Sequence, residues 1–529
     1  MGALSSGGIT PTALLGRQFF IVADLTIGGA QILVATSELA IPWASANRTL
    51  VAAHYLSRPV EVTIDAGWGK PENTPPSAVI EIPLTGRLVE LRRAGSLGSG
   101  IRCEVFLWIE GTDYTAREVL VTGSARLAQW GAEGEAVVFN ITQEAGIDTG
   151  KQLDLGAIDD SFGLISIIDP VEDNLNKPYP FVFGDREPSS AVFDYTVRRS
   201  EGIAYAQNTA TEEVVRVAIA GHRVGATEVT IVDSDGAGDV RTIEYRQDDT
   251  GRDVATVNLV SSSLNVAKGT TYTVKWTGDG GALIDEGRVV TGAGHLITYL
   301  MRNSGLPVDY GRLASARLSL DTYNVAGTIQ EPVGALAYIG DALASVLPFT
   351  LTIGPQGWWA WPWPIHPRRS EAVASIDPVN GDAVRESELI IDSGSVVNDI
   401  ELSYAIDQHS GDATRRIRVG GSDTDLPLGY CINSQASYGV LSKTLECVAI
   451  ERQGSASRAI VNRLSALAMP RARVTYALTT SYAWLRPRQI VTLNDADIDA
   501  AGVCVVDAVT VSEVEVSATL LILTPTGVE

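Results

Sequence analysis

Alternating apolar and polar residues dominate the first 150 positions and predict β-strands. In "RPVEVTIDAGW", Val60, Val62 and Ile64 recur at every second position, which is the period of a strand with one buried face. Further strand-like runs follow in "IRCEVFLWIEG" and "EAVVFNITQE", with glycine-rich joints between them. The pattern predicts that this region forms an antiparallel barrel or sandwich of its own.

The longest apolar run, "FFIVADLTIGGAQILVATSELAIPW", is interrupted too often to span a membrane. Asp24, Gln31 and Glu38 break it, whereas a spanning helix needs about 20 mostly apolar residues. We interpret the run as two buried strands. The preceding "MGALSSGGITPTALLG" lacks the basic and apolar regions of an export signal, so secretion by that route is not expected.

A proline-rich segment interrupts the strand pattern and precedes a second β module. Pro170, Pro178, Pro180 and Pro188 lie in "IIDPVEDNLNKPYPFVFGDREPSS", and they argue against regular structure there. Alternating runs resume between about 190 and 290 with frequent hairpin-turn signals. We therefore expect a linker followed by a second set of strands.

The period changes to that of a helix in residues 293–347. In "GHLITYLMRNSG" four apolar residues share one helical face, and Gly305 is suited to end the helix. That face consists of Leu296, Ile297, Leu300 and Met301. The stretch "EPVGALAYIGDALASVLP" repeats the helical period, with Pro332 at a first helical position and Pro348 after its end.

The next stretch, "FTLTIGPQGWWAWPWP", predicts a strand, a tight turn and a returning strand. The returning strand holds four of the ten tryptophans in the chain. A period of two places Trp359, Trp361 and Trp363 on one face and Trp358 on the other. We interpret this ladder as packing in a core or at a subunit interface. Stacking on sugar rings and contact with a membrane remain as alternatives.

Composition and charge narrow the classes of function. Of the 529 residues, 45% are hydrophobic and 19% are charged, which is typical of a folded chain with several domains. The net charge is −23 and the arginines are scattered, so specific binding to nucleic acid is not expected. An acidic surface would instead let DNA pass without adhering.

The cysteines and histidines form no recognised metal or catalytic motif. No CxxC, HExxH, GxSxG or P-loop pattern is present. We expect buried free thiols, ordinary histidines, and neither a catalytic site nor a cofactor. The cysteines are Cys103, Cys431, Cys447 and Cys504. The histidines are His54, His222, His295, His366 and His409.

One acidic loop, "DSDGAGDVRTIE", partly fits a calcium-binding pattern. Asp233, Asp235, Gly238 and Glu244 fill positions one, three, six and twelve of a calcium loop, but Ala237 at position five has no ligand atom. The flanking runs are strand-like, whereas that loop needs helices. We interpret it as the tip of a β-hairpin.

The last 140 residues carry an ordered series of motifs. "VVNDIELSY" is followed by "SQASYGVLSKTLE", by an amphipathic helix in "GSASRAIVNRLSALAMP", by "RARVTYALTT" and by "LRPRQIVTLND". Over residues 396–524 this series resembles the tail hub, or tail-tip, proteins of tailed bacteriophages. Arg488 and Gln489 stand where that family usually has Gly-Asp, a change expected to affect one turn. "NKPYPFVFGD" and the helices before the tryptophan hairpin also resemble such hubs, more loosely.

The resemblance implies a mainly β, multidomain fold with two tail-tube-like β-barrels flanking a β module and a small α+β domain. In this sequence the expected domains are 1–165 (first barrel), 166–290 (linker and β module), 291–390 (α+β domain with the tryptophan hairpin) and 391–529 (second barrel). The amphipathic helix near residue 460 is expected to pack on the second barrel.

The function implied by the resemblance is structural and not enzymatic. Such hubs look like homotrimers whose six barrels form a pseudo-hexameric ring at the distal end of the virion tail. Their partners are the distal tail protein or tail tube, the tape measure protein, and tip or fibre proteins. A long non-contractile tail is favoured, and synthesis in the host cytoplasm is expected. The alternatives are a carbohydrate-binding or carbohydrate-active protein that uses the tryptophan strand, and a membrane-active protein.

Overall fold

The computed structural model describes most of the chain between residues 10 and 523. The residues in that span that it does not describe are 15–16, 28, 53, 57–58, 84–88, 91–100, 131–135, 145–152, 154, 156–167, 172–173, 175, 185–196, 209, 249, 278–282, 330, 332, 382, 407–411 and 499. The predicted mainly β, multidomain architecture is confirmed.

The largest sheet has 15 strands and draws them from both ends of the chain. We call its two parts the N-terminal and C-terminal strand sets. The N-terminal set is Phe19–Ile27, Ala30–Ala35, His54–Tyr55, Glu61–Asp65, Ser77–Pro83, Ile101–Ile109, Glu118–Trp130 and Ala136–Gln143. The C-terminal set is Ala374–Ile376, Ala383–Arg385, Ile390–Asp392, Arg471–Leu478, Ile490–Asp495, Ala500–Val511 and Val516–Ile522. A separate hairpin, Leu39–Trp43 with Arg48–Ala52, lies between strands of the N-terminal set in the sequence and forms its own two-stranded sheet.

One antiparallel seam joins the two strand sets. Residues 62–65 pair with residues 508–511, with Ile64 opposite Val509. Val62, Val509 and Val511 are fully buried at the seam, and both sets contribute to one hydrophobic core. The N-terminal strands were expected to form a barrel or sandwich of their own; their sheet continues into the C-terminal strands across this seam.

The second β module is a closed ring of six strands. The ring closes because its last strand, Tyr272–Thr277, pairs with its first strand, Val197–Asn208. The other four strands are Val214–Ala220, Glu228–Asp233, Gly238–Gln247 and Asp253–Asn258. The module has its own core. Among the described residues, pairing closes a ring only here.

The proline-rich linker contains more regular structure than its sequence predicts. Ile168–Pro170 adds a strand to the second module, and Phe181–Gly184 pairs with Ala326–Ile329. Prolines are tolerated at strand ends, where no ladder hydrogen bond is required. The prediction of an irregular linker is therefore wrong for these segments, and Pro188 lies outside the described residues.

The helical region agrees with the predicted period and adds one helix. The first helix is Ala293–Asn303; its four predicted face residues are buried, and Gly305 adopts a φ of 71°. Tyr310–Leu320, which the sequence pattern did not predict, packs against it. The second predicted helix begins at Ala335–Tyr338 and continues as π-helix over Ile339–Ala344. Pro332 lies outside the described residues.

A four-stranded sheet forms separately from the 15-stranded sheet. It consists of Asp399–Ile406, Ala413–Gly420, Leu426–Pro427 and Ser442–Cys447. The amphipathic helix Gln453–Leu467 packs on this sheet, and Ile460 and Leu464 are buried in the central core. This sheet lies within residues 391–529, the predicted C-terminal barrel domain on which the helix was expected to pack.

The remaining elements are short. Ile284–Asp285 pairs with Arg288–Val289, and Phe349–Gly354 pairs with Gly357–Pro362. The other helices are Pro11–Leu14 and Gly429–Tyr438. Short 3₁₀ segments are Ala44–Ala46, Tyr114–Ala116, Arg369–Glu371, Pro378–Asn380, Thr480–Tyr482 and Ala496–Ile498.

The four cysteines are buried free thiols, as predicted. Burial raises the pKa of Cys431, Cys447 and Cys504 to about 12 and that of Cys103 still further. A buried thiol that stays protonated reacts poorly. We therefore expect Ellman's reagent to label fewer than about one thiol per native chain, and all four in denaturant. Rapid labelling of the native chain would contradict this burial.

Candidate functional site: the tryptophan–arginine junction

The tryptophan hairpin forms as its sequence predicts. Ile353 lies opposite Trp358 and Thr350 opposite Trp361. Gly357, at the turn, has a φ of 115°, a region that residues with a side chain rarely adopt. The sequence pattern of two apolar strands joined by a glycine-containing turn thus predicted this hairpin correctly.

Both edges of the hairpin are covered by other parts of the chain. On one edge, the Leu351 N–H donates to the Pro71 carbonyl at 2.7 Å, and the Asn73 N–H donates to the Leu351 carbonyl at 3.0 Å. On the other edge, the Trp358 N–H donates to the Pro307 carbonyl at 2.8 Å. The hairpin is therefore held between the loop that follows the seam strand and the helical region.

All four indole rings of the hairpin are buried. Trp358, Trp359, Trp361 and Trp363 are only 4%, 9%, 7% and 3% exposed. Trp68, from the N-terminal set, packs on Trp361 and Trp363 with ring centroids 5.9 and 5.4 Å apart. Indoles this deeply buried offer no open face for a sugar ring. The hypothesis that they form a carbohydrate platform is therefore not supported.

Three arginine side chains lie over these rings. Arg312 lies 5.4 Å from the centroid of Trp359, and Arg463 lies 5.3 Å from that of Trp363. Arg488 lies 5.6 and 5.8 Å from the centroids of Trp359 and Trp361. Guanidinium groups at these distances are attracted by the indole ring, more strongly where water is excluded. We call this cluster, with Trp68, the tryptophan–arginine junction.

Each arginine comes from a different part of the fold. Arg312 lies on the helix Tyr310–Leu320, Arg463 on the helix Gln453–Leu467, and Arg488 just before the strand Ile490–Asp495. Trp68 follows the seam strand of the N-terminal set. The junction is therefore the place where both strand sets, the helical region and the four-stranded sheet meet.

Arg463 is bonded to backbone carbonyls. Its Nη1 donates to the carbonyls of Ala344 and Leu347 at 3.2 and 3.4 Å, just after the π-helix. Burial lowers its pKa to about 10. A cation placed at the carboxyl end of a helix is stabilised by the helix dipole and satisfies terminal carbonyls.

Arg488 has a backbone conformation that glycine favours. Its φ is +79°, and its N–H donates to the Val506 carbonyl at 2.7 Å. Its Nη2 donates to the Asp65 carbonyl at 2.7 Å, next to the seam. Burial, followed by repulsion from Arg312, lowers the pKa of Arg488 to about 9. The turn thus keeps a glycine-like geometry, while arginine adds a link to the hairpin.

Substitutions at Arg488 can distinguish the free-energy cost of its left-handed backbone from the stabilisation that its side-chain contacts provide. Alanine would lose the ring contacts and the bond to Asp65 but keep the left-handed backbone, so we expect a loss of about 2–3 kcal/mol. Glycine removes the same side chain without the backbone cost and should be more stable than alanine by about 1 kcal/mol. Urea unfolding followed by tryptophan fluorescence compares the two. Equal stabilities would contradict strain at this turn.

The acidic loop is a hairpin tip, as predicted, with Val232 opposite Gly238. The Asp233 carboxylate accepts the N–H groups of Asp235 and Ala237, each at 3.0 Å. Glu244 lies along the returning strand and pairs with Arg216 at 2.7 Å. No group of three or more potential metal ligands occurs among the described residues.

The described histidines are separate from one another. The Nε2 atom of His222 accepts the Val182 N–H at 3.0 Å, and Nε2 of His295 lies 3.0 Å from an oxygen of Asp285. His366 is exposed, and His54 lies on a short strand. His409 lies outside the described residues. Within the described part of the chain, no helix is long and apolar enough to cross a membrane.

The comparisons with known proteins give structural neighbours only. No protein-family model matches the chain, and no curated protein matches it. The solved structures that match include phage tail and baseplate proteins, the class named by the sequence resemblance.

Three of these neighbours illustrate the extent of the likeness. The tail protein from Neisseria meningitidis MC58 has 10% identity and a TM-score of 0.39, covering 95% of this chain and 96% of its own. The 43 kDa tail protein of prophage MuSo2 from Shewanella oneidensis has 11% identity and a TM-score of 0.34, covering 96% and 99%. A chain of the native gene transfer agent virion has 12% identity and a TM-score of 0.40, covering 66% and 85%. Likeness at this level does not establish a shared function.

Proposed function

We propose that this chain is a non-enzymatic structural hub protein of a phage tail tip or baseplate. The observation that carries the proposal is the seam, which makes the N-terminal and C-terminal strand sets parts of one sheet with one core. A chain built in this way presents two large β units as a single rigid body. The ordered motifs of residues 396–524 support the same assignment.

The proposed assembly is a homotrimeric ring. Three chains with two strand sets each would supply six β units, which matches the six-fold symmetry of a tail tube on one side and three-fold tip or fibre proteins on the other. The partners on this proposal are the distal tail protein or tail tube, the tape measure protein, and the tip or fibre proteins. The tail would be long and non-contractile.

The net charge supports a role next to passing DNA. At −23, the chain would repel phosphate groups, so a ring of such chains could let DNA through without binding it. Specific nucleic-acid binding is not part of the proposal. The tryptophan–arginine junction would hold the parts of each subunit in fixed relative positions while different partner proteins contact its two strand sets.

Antibody labelling of tailed particles tests the proposed location. Gold-labelled antibody raised against the chain should mark only the distal end of the tail in electron micrographs. Label along the tail shaft or on side appendages would contradict the hub assignment, as would particles that carry the chain nowhere. Antibody blocked beforehand with purified chain serves as the control.

A further inference from the structure

The C-terminal strand set ends in an open apolar edge. Ile390–Asp392 pairs with Arg471–Arg473 on one side, and no described strand pairs with its other side. Ile390 and Ile391 are 59% and 60% exposed. Because successive strand residues point to opposite faces, both faces of this edge are apolar. Val384, on the neighbouring strand Ala383–Arg385, is also exposed.

The edge has few of the features that usually prevent strand addition. Exposed edges are commonly protected by a short strand, a charged side chain, proline or a bulge; here the strand is three residues long and ends in Asp392, with no lysine, proline or bulge. Asp392 is occupied within the chain, since its carboxylate accepts the Gly394 N–H at 3.1 Å and lies 3.9 Å from Arg473. The edge is therefore only partly protected and nearly uncharged.

The N-terminal strand set ends in a second free edge. Ala30–Ala35 pairs with Phe19–Ile27 on one side. On its other side, only Val34 and Ala35 are paired, with the two-residue strand His54–Tyr55. Residues 30–33 thus keep a free edge among the described residues, about as long as the four-residue seam within the chain.

We propose that these two edges pair with each other between adjacent copies of this chain. Ile390–Asp392 of one copy would add to residues 30–33 of the next, which repeats between chains the N-terminal-to-C-terminal joint already present within each chain. A contact between two different surfaces generates a ring when its rotation closes. This inference rests on the proposed ring and identifies the surface that would build it.

A second copy fits this edge better than an unrelated partner because of charge. Two chains of net charge −23 repel each other, so their contact should be uncharged where they meet. The two edges bring together Ile390 and Ile391 with Ala30, Gln31 and Ile32, which are uncharged, while the one charged residue of the edge, Asp392, lies 3.9 Å from Arg473 of its own chain. Each copy carries both edges, so every added copy leaves a free edge until the ring closes.

Paired cysteines would test the contact directly in the full-length chain. The double variants Ile32→Cys with Ile391→Cys, and Gln31→Cys with Ile391→Cys, cover both faces of the strand. Under mild oxidation, one of them should give covalent dimers and trimers on a non-reducing gel. The single variants should give none of this ladder. The four native thiols are buried and should contribute no background.

A charge variant with a matched control gives a second measurement. Ile391→Lys places a charge on the proposed contact, and we expect it to raise the concentration needed for trimer formation at least tenfold in sedimentation velocity. Val260→Lys changes a residue of similar exposure on the second β module and should leave that concentration unchanged. Circular dichroism checks that both variants fold.

The outcomes separate this inference from the hub proposal. Cross-linked trimers together with weakened assembly of Ile391→Lys would support the contact. A wild-type trimer that neither cross-links at these positions nor responds to Ile391→Lys would overturn the contact and leave the hub proposal standing. A wild-type chain that remains monomeric up to high concentration would overturn the contact together with the trimeric ring, while tail-tip labelling would still test the location.

Discussion

Replacing Trp361 with alanine is expected to lower the free energy of unfolding by about 3–5 kcal/mol. Trp361 is buried, packs on Trp68 and lies under the guanidinium group of Arg488. Its removal would leave a cavity where several parts of the fold meet, and neighbouring elements cannot all move to fill it. The measurement is calorimetric unfolding together with urea unfolding.

Trp43→Ala is the matched control for this substitution. Trp43 lies on the separate hairpin Leu39–Trp43, is only partly buried, and packs against Tyr114 with ring centroids 4.9 Å apart and tilted by 43°. The same chemical change there should cost less, and it should not affect the transition that includes the junction. A Trp361→Ala variant as stable as the wild type would show that the junction does not hold the subunit together.

Val509→Asp is expected to destabilise the fold at least as much as Trp361→Ala does. It should lower the free energy of unfolding by roughly 4 kcal/mol or more, because it buries an unpaired charge. Val509 is fully buried at the seam, opposite Ile64. Hydrogen exchange should show the amides of residues 62–65 and 508–511 losing protection together.

Val514→Asp is the control for the seam variant. Val514 is 72% exposed at the turn between two strands of the C-terminal set, so the same substitution should change stability by less than about 0.5 kcal/mol. If Val509→Asp unfolded in the same transition and at the same temperature as the control, the two strand sets would not depend on the seam.

Local patterns in the sequence predicted the local elements well. The period of two identified the strands around Val62, and the tryptophan hairpin followed from its glycine turn. The helix Ala293–Asn303 followed from its apolar face. The helix Tyr310–Leu320 was missed because "YGRLASARLSL" exposes most of its residues and buries only three. Its helical stability comes from packing against its neighbour, which a local pattern does not reveal.

Contacts between distant parts of the chain could not be predicted from the sequence. The seam joins residues more than 440 positions apart, and alternation alone does not say which strand is the neighbour of another. Arg488 stood out only as a departure from a family motif. Its left-handed backbone accounts for the glycine that the motif usually has there, but its contacts with Trp359 and Trp361 depend on a hairpin more than a hundred residues earlier.

Electron cryomicroscopy of tail tips from particles that carry this chain tests the central claim most directly. The hub account predicts three copies around the tail axis, with six strand sets that alternate between N-terminal and C-terminal identity in one ring. It also predicts that residues 62–65 and 508–511 are paired within each copy. A different copy number, a position away from the axis, or strand sets separated within a chain would contradict the account.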